Sequence, residues 1–203
     1  ILLNNPTSPD GLPSEAMIAH TVVRDTQAAG DGLGPAAEGA IPLEGVGIAA
    51  GGKLTLTSSA VTGNVQFGVV VGGANSAGSS VTSTLVAGTQ ARASGDFGHG
   101  FVGVDGTSVV VRNTVLLSNV IGAAFESATA TLADVLVEKN QVGVHVQGTS
   151  QLRTGPVAPD PPVEDVVTVT DDSRFIDQAS RVGSGPVPLP NGPISPGDPA
   201  TKT

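Results

Sequence analysis

Short apolar runs recur along the chain and are broken by Gly, Asn, Ser and Thr, as in KLTLT (53–57), SVVVR (108–112) and VGVHV (142–146). Alternation with a period of two, or a β-branched run of four to six residues, predicts strands, and the breakers between them predict corners. Helical spacing is convincing nowhere, and PSEAMIAH (13–20) is the one stretch that would allow it.

The strands belong to a repeat. NVQFGVVVGG (64–73), NVIGAAFES (119–127) and NQVGVHVQG (140–148) each read Asn, two or three residues, Gly, then an apolar strand. Each copy can be anchored on a turn residue three positions after an apolar one. This pairs Leu2 with Asn5, Val22 with Asp25, Val61 with Asn64, Leu85 with Gly88, Leu116 with Asn119, Val137 with Asn140 and Val169 with Asp172. The anchors are spaced by 20, 39, 24, 31, 21 and 32 residues. A unit near 20 to 24 residues, lengthened in some copies by insertions, is the period of a solenoid.

Three short strands per unit, with Asn or Gly at the corners, predict an all-β chain folded as a right-handed parallel β-helix of about six coils. Leucine-rich repeats share the period, but their Leu-rich consensus is absent. Asn suits a corner because it tolerates the left-handed backbone conformation. Stacked at about 4.8 Å from coil to coil, its amide would also donate to the next Asn carbonyl. Asn64, Asn119 and Asn140 are the expected ladder, with Asp25 and Asp172 as poorer substitutes and Gly88 as a gap. Leu56, Val111 and Leu132, eight residues before their anchors, and Val61, Leu116 and Val137, three before, are expected to point inward in columns.

Composition agrees with this layout. A chain of 203 residues makes about one domain. With five Phe and no Trp, Tyr or Cys, the core must be built from Val, Leu, Ile and Ala. A net charge of −9 argues against a nucleic-acid partner, which needs a basic face. The absence of Cys excludes disulfides, thiolate chemistry and Cys-ligated zinc. No apolar run approaches the ~18 residues needed to span a bilayer, and ILLNNPTSPDG at the start lacks the basic region of a signal peptide.

GVGIAAGGKLTLTSSAVTGNVQFGVVV and VEKNQVGVHVQGTSQL resemble the pectate-lyase-like, right-handed parallel β-helix repeats of secreted and surface bacterial proteins, over roughly residues 15 to 180. The resemblance implies export to the exterior or the cell surface. It implies no single function, since polysaccharide lyases, glycoside hydrolases, tailspikes and adhesins share these repeats.

The insertions are the chief departure from regularity. TQAAGDGLGPAAEG begins at Thr26 and TQARASGDFGHG at Thr89, and both follow an anchor corner. In a stack they would leave one edge about two coils, or roughly 10 Å, apart. Binding concentrates in loops on a rigid scaffold. The loops 26–39 and 89–100 are therefore the candidate ligand-binding surface, with Gln27, Asp31, Gln90, Arg92, Asp96 and His99 as polar groups and Phe97 as an exposed apolar wall. A third, Pro-rich insertion at 154–165 leaves from a different place. The β-helix is expected over 1–182, with a Pro/Gly-rich linker or tail over 183–203, and reads as a piece of a longer solenoid.

Chemistry is sparse. Asp105 and Glu126 fall near equivalent points of adjacent coils, and glycosidases need about 5 to 9.5 Å between carboxyls. They are the catalytic candidates of an alternative reading, in which the chain is a polysaccharide lyase or glycoside hydrolase and calcium enters with the lyase chemistry. His20 and His145 are expected to be exposed and His99 to lie in a loop. The three are too dispersed for a metal site. Thr-x-Thr occurs in TLT, TST and TAT, but VVV at 109–111 interrupts it, so no regular threonine array is expected. Phe101 and Phe125 are expected inside the core. The favoured expectation is a noncatalytic extracellular or surface scaffold, adhesin or binding module with no cofactor. Its partners would be a polysaccharide or another surface protein, together with flanking coils.

Overall fold

A computed structural model describes residues 1–3, 14–27, 45–93, 95, 97–155 and 165–176. Asn5, Asp31, Asp96, most of the 26–39 and 154–165 insertions, and the 183–203 segment lie outside them.

The strands in chain order are β1 (Leu2–Leu3), β2 (Glu15–Ala19), β3 (Val22–Arg24), β4 (Val46–Ala50), β5 (Lys53–Thr57), β6 (Ala60–Thr62), β7 (Phe67–Gly72), β8 (Ser79–Thr82) and β9 (Leu85–Ala87). They continue with β10 (His99–Val104), β11 (Ser108–Arg112), β12 (Val115–Leu117), β13 (Ile121–Glu126), β14 (Thr129–Ala133), β15 (Leu136–Glu138), β16 (Val142–Gln147), β17 (Gln151–Gly155), β18 (Val166–Thr170) and β19 (Arg174–Phe175). Within PSEAMIAH, Glu15–Ala19 forms a strand, β2, because Ala16 and Ile18 turn toward the interior in alternation rather than with helical spacing.

These strands form three parallel sheets. Sheet A has the order β1-β4-β7-β10-β13-β16, sheet C the order β3-β6-β9-β12-β15-β19, and sheet B runs from β2 through β5, β8, β11, β14 and β18 to β17. The chain visits A, then B, then C, and begins again, an all-β arrangement compatible with a parallel β-helix. One step breaks the order: β18 inserts between β14 and β17, so the strand after the third insertion displaces its predecessor to the edge.

Stacking puts like residues on like. Leu56, Val81, Val111, Leu132 and Val169 form one inward column in sheet B, and Val61, Val86, Leu116 and Val137 form another in sheet C. All nine are buried, among them the six that the spacing predicts, Leu56, Val61, Val111, Leu116, Leu132 and Val137. Phe101 and Phe125 are buried in the same interior, with ring centroids 5.8 Å apart. They stand two positions out of register, and the room for Phe125 comes from Gly103, where a Cβ would lie 2.9 Å from the ring. The outward column of sheet B is Met17, Thr55, Ser80, Val110, Thr131 and Thr168, which is not a threonine array.

Pairing corrects the anchor register in four copies. Val23 and Val86, not Val22 and Leu85, stack with Val61, so the residues equivalent to Asn64 are Thr26 and Thr89 rather than Asp25 and Gly88. Val169 pairs with Leu132 in sheet B, and Phe175 takes the place beside Val137. Asp172 consequently serves another corner, where its Oδ1 accepts the Asp134 N–H at 3.0 Å. Leu2 pairs with Ala49 in sheet A rather than lying in the sheet C column, and its partner Asn5 is outside the described residues. The three-residue strands VVR, AVT, LVA, VLL and LVE bury their middle residue most deeply, and that residue is the true anchor.

Candidate functional site

The corner between sheets C and A is where two insertions enter. Its backbone turns through Asp25, Gly63, Gly88, Ser118 and Lys139, all with φ between 55° and 65°. The left-handed residue is thus the one before each Asn, and Asn acts through its side chain instead. Asn119 Nδ2 donates to Asn140 Oδ1 at 3.0 Å, and Asn140 Oδ1 also accepts the Asn119 N–H at 2.9 Å. Asn140 Nδ2 donates to the carbonyls of Leu116 and Glu138. Asn119 Oδ1 accepts the Thr89 N–H at 3.0 Å, and Asn64 Oδ1 accepts from Thr26 Oγ1 at 2.7 Å and from its N–H at 3.2 Å. The ladder is therefore Thr26, Asn64, Thr89, Asn119 and Asn140. Asn64 Nδ2 and Thr89 Oγ1 are buried without a hydrogen-bond partner, so the ladder is interrupted between these two rungs.

The glycine that follows each ladder residue is explained by the same geometry. A Cβ on Gly122 would lie 2.5 Å from the Gly143 carbonyl oxygen and 3.3 Å from the Asn140 amide, and one on Gly100 would lie 2.8 Å from Asn119 Nδ2. The Asn–x–x–Gly phrase is a packing unit in which the amide fills the space that a side chain would take.

Insertions enter between the ladder residue and this glycine. Thr26 and Thr89 flank Asn64 on neighbouring rungs, and Gln90 N–H donates to the Asn64 carbonyl at 2.8 Å. Both insertions thus start from one corner, on either side of Asn64.

Phe97, in the second insertion, packs on the outer face of sheet A. Phe97 is 6% exposed and meets Phe67 edge to face, with ring centroids 5.0 Å apart, so the expectation of an exposed Phe97 is wrong. Both rings belong to a buried apolar cluster with Ala49, Val70, Val102, Ile121 and Ala124, separate from the interior. Arg92 lies over the Phe97 ring at 6.0 Å from its centroid. His99, expected in a loop, begins β10 and is 3% exposed. Its ring centroid is 5.5 Å from Phe67 and its Nδ1 is buried without a hydrogen-bond partner. Burial, and secondarily the charge on His145, lowers its pKa to about 4.

His145 is buried as well, against the expectation of exposure. Val144 and Val146 do face the interior, and His145 does point away from it. The outer face of sheet A is itself covered, so outward does not mean solvated. His145 Nε2 lies 3.3 Å from Gln147 Oε1, and Gln147 Nε2 donates to Glu126 Oε2 at 2.9 Å. This chain connects a buried imidazole to an exposed carboxylate. His20 is exposed, as expected.

Of the other sequence-derived residues, Gln27 and Gln90 are exposed at the two points of departure. Asp105 and Glu126 are both exposed but stand one residue out of register, since Glu126 pairs with Val104. Asp105 shares its corner position with Gly73, Ser127 and Gly148, all of positive φ, so its backbone role is that of a turn residue. Gln66 had no signal of its own in the sequence. It is fully buried with φ 86°, and its carbonyl receives the N–H groups of Gly98 and His99. Thr26 and Thr89 had a signal, the shared TQA opening, which marks the ladder position directly. Among the described residues no group of three or more His, Cys, Asp or Glu is placed to hold a metal ion, and no helix is long and apolar enough to cross a membrane. No protein-family model matches the chain, and no curated protein and no solved structure matches it.

Proposed function

We propose that this chain is a right-handed, pectate-lyase-like β-helix region of about six coils that serves as a noncatalytic scaffold, adhesin or binding module outside the cell or on its surface. Its binding surface is the C-to-A corner, with Gln27, Gln90 and Arg92 among the polar groups that meet the partner. The observation that carries the reading is the common departure of two insertions on either side of Asn64. A stacked scaffold holds its corners rigidly, and segments inserted there can vary without disturbing the core.

The partner is a neutral polysaccharide or a surface protein. A net charge of −9 opposes a polyanion in the absence of bridging cations. Titration calorimetry with soluble xylan, β-glucan and polygalacturonate, with and without calcium, tests this. Binding of a neutral glycan without turnover, weakened severalfold by Arg92→Ala or Gln90→Ala, is the expected result. Turnover abolished by Asp105→Ala or Glu126→Ala would replace the scaffold reading with a lyase or hydrolase.

A further inference from the structure

Sheet C carries an apolar column on its outer side. Val22, Ala60, Leu85, Val115 and Leu136 stack in register on β3, β6, β9, β12 and β15. Each precedes the buried middle residue of its strand, and successive side chains of a strand point to opposite faces, so these five point away from the interior. Val22 is 66% exposed and the other four are half-buried. The next outward column reads Arg24, Thr62, Ala87, Leu117 and Glu138.

The charges at the two ends of this face are arranged in opposite order. On the β3 rung Arg24 and Asp25 are exposed neighbours, 3.8 Å apart. On the β15 rung the same two positions hold Glu138 and Lys139, 3.0 Å apart. The β9 rung lies midway between them and carries Leu85, Ala87 and Gly88, none of them charged.

We infer that the outer face of sheet C is a self-complementary docking surface for a second copy of this chain, related to the first by a twofold axis along β9. The β3 strand of one copy then lies on β15 of the other, β6 lies on β12, and β9 lies on its own equivalent. Each column falls on the same column. Val22 therefore meets Leu136, Ala60 meets Val115 and Leu85 meets Leu85. At both ends Arg24 meets Glu138 and Asp25 meets Lys139. Facing sheets lie about 10 Å apart, a gap that Arg and Glu side chains span together. His20 and Asp134, exposed turn residues of the neighbouring corner, are brought face to face by the same axis.

A shift of the axis to midway between β9 and β12 would set Arg174 on Val22 and Arg24 on Ile176, so charge selects the first register. The face is small. Five rungs at about 4.8 Å, each of about six residues, cover roughly 20 by 20 Å, whereas a stable complex buries about 800 Å² per partner. Two chains of net charge −9 also repel each other. The dimer is accordingly a weak one that forms at high protein concentration. The inference does not rest on the binding role proposed above.

Sedimentation velocity of the full chain over a hundredfold range of concentration, up to millimolar and at physiological ionic strength, tests it. A monomer–dimer equilibrium is expected. Arg24→Glu and Glu138→Arg should each weaken it about tenfold, because each turns two attractive pairs into repulsive ones. An equimolar mixture of these two variants should associate as the unaltered chain does, since opposite charges then meet at both ends. Leu85→Glu should abolish association. A chain that stays monomeric throughout would overturn the inference, as would a dimer that the charge reversals leave unchanged. A mixture that associates no better than the single variants would also overturn it. The mixing result is decisive by itself if Leu85→Glu does not fold.

Discussion

Two corners of this molecule solve the same turning problem in different ways. Between sheets B and C the backbone turns through His20, Ser58, Ser83, Asn113 and Asp134, with φ between 48° and 52°. Between sheets C and A it turns at equally left-handed residues. The difference lies one residue further on. At the B-to-C corner Thr21, Ser59, Thr84 and Thr114 each return a hydroxyl hydrogen bond to the carbonyl two residues earlier, at 2.8 to 3.0 Å. Side chains also cross rungs there, at Thr21 N–H to Ser59 Oγ, Asp134 N–H to Asp172 Oδ1 and Val135 N–H to Ser173 Oγ, but each of these bonds joins a side chain to backbone. At the C-to-A corner the side chains bond across rungs, Asn119 to Asn140 and Thr26 to Asn64.

The contrast explains where insertions are tolerated. Cross-rung bonds tie Thr26 to Asn64, Thr89 to Asn119 and Asn119 to Asn140, whatever the chain does afterwards. Thr26 and Thr89 stay in place although long segments follow them, while the corner that bonds locally continues straight into the next strand. Rigid attachment and freedom to vary are thus found at one edge.

The comparison can be broken in graded steps. Both corners rest on the interior column of sheet C, so Leu116→Ala should weaken them together by about 3 kcal/mol through cavity formation. Urea unfolding measures it, and a loss below about 1 kcal/mol would mean that the column collapses to fill the space. Asn140→Ala should cost about 2 to 3 kcal/mol, because it removes the acceptor of the Asn119 N–H and of one Asn119 Nδ2 proton and the donor to the Leu116 carbonyl, all of them buried.

Thr89→Asn sharpens the comparison in the opposite direction. An amide at this position can accept from Asn64 Nδ2, which has no partner, and continue the ladder to Asn119. The variant should gain about 1 kcal/mol, seen as a raised thermal midpoint. A loss would show that the shape of Thr is required there. The smallest effect is expected at the other corner. Thr114→Val removes only a local hydroxyl bond, and Val135 already occupies the equivalent place on the next rung. A change of about 0.5 kcal/mol or less should follow.

Much of the architecture was legible from pattern. Inward columns such as Leu56–Val111–Leu132 follow from alternation, and the Asn119–Asn140 pair follows from repeat spacing. The one-residue error at Val22 and Leu85 arose because two adjacent apolar residues make the inward one ambiguous until a neighbouring strand fixes the register. The reversal of β17 and β18 had no sequence signal, because either strand presents the same alternation to β14.

Local chemistry and periodicity were enough to determine the strands, the corners and the residues that fill the interior, since these depend on contacts that repeat at a fixed interval. Whether an outward residue meets water was decided only by the tertiary structure. Phe97, His99 and His145 all face away from the interior, and all are buried. At Phe97 the burial comes from an insertion that packs edge to face on Phe67 beside His99. That packing depends on the path of a segment with no repeat of its own, and its energy comes from contacts with a strand distant in sequence.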